Sequence, residues 1–181
     1  YGYKPELSEG SIKSPIFQTS TFVFRSAEEG KHFFQLATGQ IAPEEGERPG
    51  LIYSRINNPD LEILEDRLCL WEDAEMGLAF ASGMAAIATT LLTYLRPGDV
   101  LLHSEPLYGG TTHLVNDMLP ELGVLSVPFD AGMDASAIER RLDERGGDRP
   151  LRMILLETPA NPTNDLIDIR MCGDIAGRRA R

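Results

Sequence analysis

The sequence is short of cysteine and lysine and has no long apolar run, and each shortage excludes something. Cys69 and Cys172 are its two cysteines; they lie far apart and follow neither a CxxC nor a Cys/His spacing, which excludes a disulfide scaffold or a familiar zinc motif. A reduced, cytoplasmic setting is the expectation, and the first residues lack the basic segment and apolar core of a secretory signal. Seventeen Lys and Arg against 28 Asp and Glu give a formal charge of -11, so the basic patch that nonspecific nucleic-acid binding requires is missing. With no run of about 18 apolar residues, no membrane span is expected. There is no repeat, no low-complexity tract and no G-x-G-x-x-G after a strand, which disfavours a Rossmann-type dinucleotide binder. What remains is a 181-residue chain of ordinary hydrophobic content, long enough for a well-buried soluble domain.

Its most informative stretch is Met76–Leu95. Met76-Gly77-Leu78-Ala79-Phe80 reads as a buried strand, Ala81-Ser82-Gly83 as a turn, and Met84 to Leu92 as an apolar helix. Such a joint aims free backbone N–H groups and the positive end of a helix dipole at one spot, which suits a phosphate. No lysine lies in the turn, so it is not a Walker-type loop. Taken alone, Ser82 and Gly83 read more simply as the cap and turn of a core helix.

Before this joint, Tyr1 to about Pro15 shows no periodicity, Ile16 to Phe24 is an extended arm, and Ala27 to Leu36 a short helix. Gly39 to Gly50 is a loop rich in glycine, proline and glutamate. Asn58-Pro59, with Asp60 and Glu62 in the first turn, starts a helix whose Leu61, Leu64, Leu68 and Trp71 form an apolar stripe, so Trp71 is expected in the core. Beyond the joint, Val100–His103, Val124–Phe129 and Arg152–Glu157 read as strands. Helices are expected over Thr112–Leu119, from an Asp134 cap to Leu142, and after an Asp168 cap. His103, ending a core strand, is expected to be structural.

Strands alternating with helices specify an α/β fold with a mostly parallel sheet, whose ligand crevice lies beyond the carboxyl ends of the strands. Ser82 and Gly83, Tyr108, and Glu157 with Asn161 each follow a predicted strand, so three separated segments converge on one crevice.

Four segments, Tyr53-Ser54-Arg55-Ile56-Asn57-Asn58-Pro59, Ser82-Gly83-Met84-Ala85-Ala86, Pro106-Leu107-Tyr108-Gly109-Gly110-Thr111 and Glu157-Thr158-Pro159-Ala160-Asn161-Pro162-Thr163, occur in the order found in the Cys/Met-metabolism family of pyridoxal-phosphate enzymes, which the chain resembles over nearly its whole length. That family includes cystathionine γ-synthase, cystathionine γ-lyase, methionine γ-lyase and O-acetylhomoserine sulfhydrylase. The resemblance implies an aspartate-aminotransferase-like (fold type I) large domain. Residues 1–60 would be an N-terminal arm and interface loop, and 61–181 part of the domain that binds pyridoxal 5'-phosphate. It implies that the amides at Gly83 and Met84, beside Ser82, hold the cofactor phosphate, and that Tyr53 and Arg55 reach the same phosphate from a neighbouring subunit. A homo-oligomer with shared sites, a dimer or a tetramer, would follow. By the same resemblance Tyr108 stacks on the pyridine ring and moves a proton at the leaving group, and Asn161 lies near the cofactor's phenolic oxygen. Glu157 matches a motif position in the same site for which the resemblance gives no chemical role.

The implied reaction is γ- or β-elimination or replacement on a sulfur amino acid or activated homoserine. Departures from the pattern set its limits. The family's Schiff-base lysine belongs to a Ser-x-Thr-Lys motif absent here, Lys4, Lys13 and Lys31 being the sole lysines. The aspartate for the pyridine nitrogen and the arginine for the substrate carboxylate are absent too. The 181 residues alone are therefore expected to be an N-terminal fragment without activity; a noncatalytic subunit acting through association is the alternative. Gly110 stands where methionine γ-lyases tend to carry a cysteine, and the Gly39–Gly50 loop is longer than in familiar members.

Overall fold

Parallel strands must be joined by long crossovers, and the second half of the chain supplies them in helical form. In the computed structural model, which describes residues 3–45, 47 and 50–179, the chain forms two units, Tyr1–Ala79 and Phe80–Arg181. The second holds a three-stranded sheet of order β2-β1-β3, built from β1 (Val100–Glu105), β2 (Leu125–Asp130) and β3 (Leu151–Leu155). Both pairings are parallel, with Leu102 opposite Val127 on one side and Ile154 on the other. Alternation along β1 splits its side chains between two layers. Val100 and Leu102 join Val127 and Phe129 under α6 (Ala135–Gly146) and α7 (Ile169–Arg179), where Ile138, Leu142, Cys172 and Ile175 meet them. Leu101 belongs to the opposite layer, with Leu91 and Leu95 from α3 (Gly83–Tyr94) and its C-cap, and Leu114, Val115 and Leu119 from the helical run that follows β1. A central strand covered on both faces is the reason Val100–His103 reads as a continuous apolar run with one histidine in it.

That helical run begins at Gly109, earlier than the apolar pattern suggests, with α4 (Gly109–His113), a π-turn over Leu114–Met118 and α5 (Leu119–Glu121). The widened turn lies just ahead of Pro120, which has no N–H with which to continue the ladder. The predicted caps are present: Asp134 Oδ1 accepts from Ala137 N at 2.7 Å and Asp168 Oδ1 from Met171 N at 3.0 Å. α6 runs on to Gly146, beyond the predicted Leu142.

In the first unit, α1 (Ala27–Ala37) and α2 (Pro59–Glu72) form where expected, and Asn58 Oδ1 caps α2 by accepting from Asp60 N at 2.9 Å. Two expectations fail here. Met76–Phe80 is extended but pairs with no strand among the described residues; the Ala79 amide donates instead to Glu65 Oε1 at 2.7 Å. A strand needs a neighbour with free N–H and C=O groups, and here a helix side chain has taken that role. Gly77 suits the close approach, since a Cβ there would stand 3.2 Å from both Cys69 Sγ and the Glu65 carbonyl oxygen. Trp71 is 75% exposed rather than buried, because the α2 stripe it shares with Leu61, Leu64 and Leu68 faces outward. The sequence period correctly marks one face of a helix but carries no information on what covers it. Gly46, Arg48 and Pro49 of the expected 39–50 loop lie outside the described residues, as do Tyr1, Gly2, Ala180 and Arg181 at the two ends.

His103 is fully buried on β1, as the structural reading anticipates. Its Nδ1 donates to the Ser104 carbonyl at 3.1 Å, while Nε2 has no partner among the described residues. Burial lowers its pKa, outweighing the Ser104 carbonyl and Glu105, which raise it. The unfolded chain therefore takes up the proton first. The stability this neutral ring allows is complete above the unfolded pKa of about 6.5 and declines as pH falls below it, by up to about 1.4 kcal/mol per pH unit. Thermal unfolding of the protein at pH 7.5 and 5.5 should show this slope, and His103→Leu should flatten it; an unchanged slope in the variant would contradict the assignment.

Candidate functional site

The site is built on the N-terminus of α3. Ser82 is extended (φ -158°, ψ 159°), and its Oγ accepts from Ala85 N at 3.1 Å while its carbonyl accepts from Ala86 N at 3.1 Å. That leaves the amides of Gly83 and Met84 with no hydrogen-bond partner among the described residues. Nothing lies within 4 Å of where a Gly83 Cβ would stand, so no side chain crowds that position at the helix start. The charge pattern is distinctive as well. α1 and α2 carry Glu28, Glu29, Asp60 and Glu62 in their first turns, and α6 and α7 have Asp134 and Asp168 at theirs. α3 has a neutral cap and no carboxylate in its first turn. In a chain of net charge -11, α3 alone of the long helices among the described residues has no carboxylate at its cap or in its first turn, which leaves its positive end open to an anion.

Tyr108 stands beside this terminus. It precedes α4, and Gly110 brings the two segments together: a Cβ there would be 3.0 Å from Met84 Sδ and 3.0 Å from Tyr108 Cε1. Thr111 Oγ1 also contacts Met84 Sδ, at 3.6 Å. Tyr108 is 51% exposed, and its hydroxyl makes no hydrogen bond among the described residues. One aromatic face and one phenol group are thus presented beside the free amides.

The loop after β3 completes the group. Glu157 Oε2 accepts from Tyr108 N at 2.7 Å and Oε1 accepts from Asn161 N at 3.0 Å. Asn161 lies in a loop closed by Ala160 N donating to the Asp165 carbonyl at 2.9 Å and Asn164 N to the Ala160 carbonyl at 2.7 Å. The structure therefore brings Ser82, Gly83, Met84, Tyr108, Glu157 and Asn161 together.

Tyr53 and Arg55 belong to the first unit. There the Arg55 guanidinium lies over the Tyr53 ring, 5.2 Å from its centroid. Tyr53 bridges antiparallel to Thr21, Ser54 N donates to the Ser20 carbonyl at 2.9 Å, and Asn58 Nδ2 donates to Ser54 Oγ at 3.0 Å. Both side chains are exposed on a segment held by its neighbours.

Sequence reasoning missed Ser104. Buried at the end of β1, its Oγ accepts from Glu157 N at 3.0 Å and so anchors the residue that ties the two loops. A hydroxyl directly after the apolar run of β1 was the available signal. A neighbouring cavity of about 440 Å³ is lined by Glu105, Leu107, Thr112, Asp130 and Asp165, and by none of Ser82, Gly83, Met84, Tyr108, Glu157 and Asn161.

Residues 1–180 match the model of the Cys/Met metabolism PLP-dependent enzyme family. An L-methionine gamma-lyase of Pseudomonas putida is 39% identical over 176 residues, 97% of this chain and 40% of that protein. A cystathionine gamma-synthase of Mycobacterium leprae is 31% identical over 179 residues, 99% of this chain and 40% of that protein. A Campylobacter jejuni protein described as an O-acetylhomoserine (thiol)-lyase, whose crystal structure carries an N'-pyridoxyl-lysine-5'-monophosphate, superposes with a TM-score of 0.81 at 28% identity over 99% of this chain and 40% of its own. The chain thus spans about 40% of the length of these relatives.

Proposed function

The chain belongs to the Cys/Met metabolism family of pyridoxal-phosphate-dependent enzymes, and from that premise we propose that its α3 terminus and loops form the phosphate and ring subsites of an enzyme that eliminates or replaces a γ- or β-substituent of a sulfur amino acid or activated homoserine. The observation that carries this is the pair of amides at Gly83 and Met84, without a partner among the described residues, on a long helix with no carboxylate at its start, beside a half-exposed tyrosine. These residues fit pyridoxal phosphate: a helix terminus for the dianion, an aromatic face for the ring, and a polar side chain at Asn161 for the phenolic oxygen. When bound, the cofactor supplies an electron sink for bonds broken next to the substrate's amino group.

The chain's own residues do the rest. Gly83 N–H and Met84 N–H donate to the phosphate. Arg55, whose planar fork suits a dianion, and Tyr53 add donors from a second copy of the chain, so that the working unit is at least a dimer. Tyr108 holds the ring against its face and, through Oη, gives or takes the proton at the departing group. The lysine that would hold the cofactor covalently is not among these residues, since none of Lys4, Lys13 and Lys31 stands in the family's Ser-x-Thr-Lys motif.

In the full-length protein, Arg55→Ala should weaken pyridoxal phosphate binding by about 1–3 kcal/mol, the scale for losing a charged hydrogen-bonding partner. Because the contact crosses subunits, mixing this variant with a subunit that lacks its own lysine should restore one intact site per hybrid dimer. Hybrids no more active than either parent would rule out the shared site.

A further inference from the structure

We infer that Glu157 is a positioning residue, whose carboxylate bridges two loops and so sets the spacing between the Tyr108 ring and Asn161. The inference rests on the reading of Tyr108 and Asn161 as cofactor contacts, and gives a role to the one matched residue that had none.

Each carboxylate oxygen has its own backbone donor: Oε2 takes the Tyr108 amide at 2.7 Å, 49 residues away in sequence, and Oε1 takes the Asn161 amide at 3.0 Å. Both are charge-assisted bonds, stronger than bonds between neutral groups, and together they fix the plane of the carboxylate. Its base is fixed as well, because Glu157 N donates to Ser104 Oγ at 3.0 Å and Ser104 is buried at the end of the central strand. The sheet thus reaches both loops through one side chain. Direct contact with a phosphate would set two anions against each other, whereas backbone amides on two loops are the donors an anion seeks. A change at Glu157 therefore acts on the cofactor through Tyr108 and Asn161.

Glu157→Gln keeps the shape but presents an NH₂ group where one amide needs an acceptor, so one loop loses its tie. Glu157→Ala loses both. Amide hydrogen exchange on the cofactor-free full-length protein reads the bridge itself. Peptides spanning Tyr108 and Asn161 should exchange about tenfold faster in Glu157→Ala, with a peptide from α6 unchanged. Visible circular dichroism of the pyridoxal-phosphate-loaded protein reads the positioning, because the band's intensity depends on how the ring is held: it should fall at least about twofold in Glu157→Gln at full cofactor occupancy. Unchanged exchange in both peptides would overturn the bridge. Faster exchange with an unaltered circular dichroism band would overturn the positioning role, leaving Glu157 a structural tie. A wild-type protein that binds no pyridoxal phosphate would instead overturn the functional reading, with the exchange result still deciding the bridge.

Discussion

Tyr108→Phe in the full-length protein should leave pyridoxal phosphate affinity nearly unchanged while kcat falls roughly 10²- to 10⁴-fold, the range for losing a positioned proton donor. The argument starts from the ring's surroundings. Gly110 lies close against it, and Glu157 ties its backbone, so the ring is held by contacts that Phe preserves. The hydroxyl has no hydrogen-bond partner among the described residues, so removing it leaves no buried group unsatisfied and changes only what it does to substrate. Tyr108→Ala should release cofactor, since the stacking face goes with the ring. If stacking alone matters, Phe is nearly silent; if Ala too leaves Kd and kcat unchanged, Tyr108 does not belong to the site.

The parts of this site that were legible in the sequence are those whose physics is local. Asn58-Pro59 and Asp134 each announce a helix start because a cap acts within three residues, and Ser82 with Gly83 does the same for α3. The convergence of Tyr108 with Glu157 and Asn161 was legible because both segments follow predicted strands of a parallel sheet; that those strands, β1 and β3, are neighbours is what the structure adds. Partners at a distance were not legible. Trp71 and Met76–Phe80 have the pattern of buried elements, but a pattern names a face and not the surface that covers it. Ser104 was hidden for the converse reason: one hydroxyl in a strand has no period, and its importance lies in the Glu157 amide it receives. The role of Glu157 likewise needed coordinates, since nothing in its motif says that both oxygens turn to backbone.

The second large effect concerns the 181 residues by themselves. They carry the amides, the tyrosine and the asparagine but no Ser-x-Thr-Lys motif, and without that lysine to hold the cofactor covalently and move the substrate's proton, the electron sink would not be engaged at an enzymatic rate. Mixed with pyridoxal phosphate and L-cystathionine or L-methionine, the isolated chain should release ammonia and α-keto acid no faster than free cofactor does. Turnover above that background would mean that one of Lys4, Lys13 or Lys31, or a different chemistry, serves the site, and the residue assignments would have to be redrawn.

The central claim is that the α3 terminus and its loops hold pyridoxal phosphate, and the most direct measurement is how much cofactor the full-length protein retains after exhaustive dialysis. The account predicts one pyridoxal phosphate per chain with a visible band absent from the free cofactor. Complete loss on dialysis, with saturating cofactor producing no band, would contradict it.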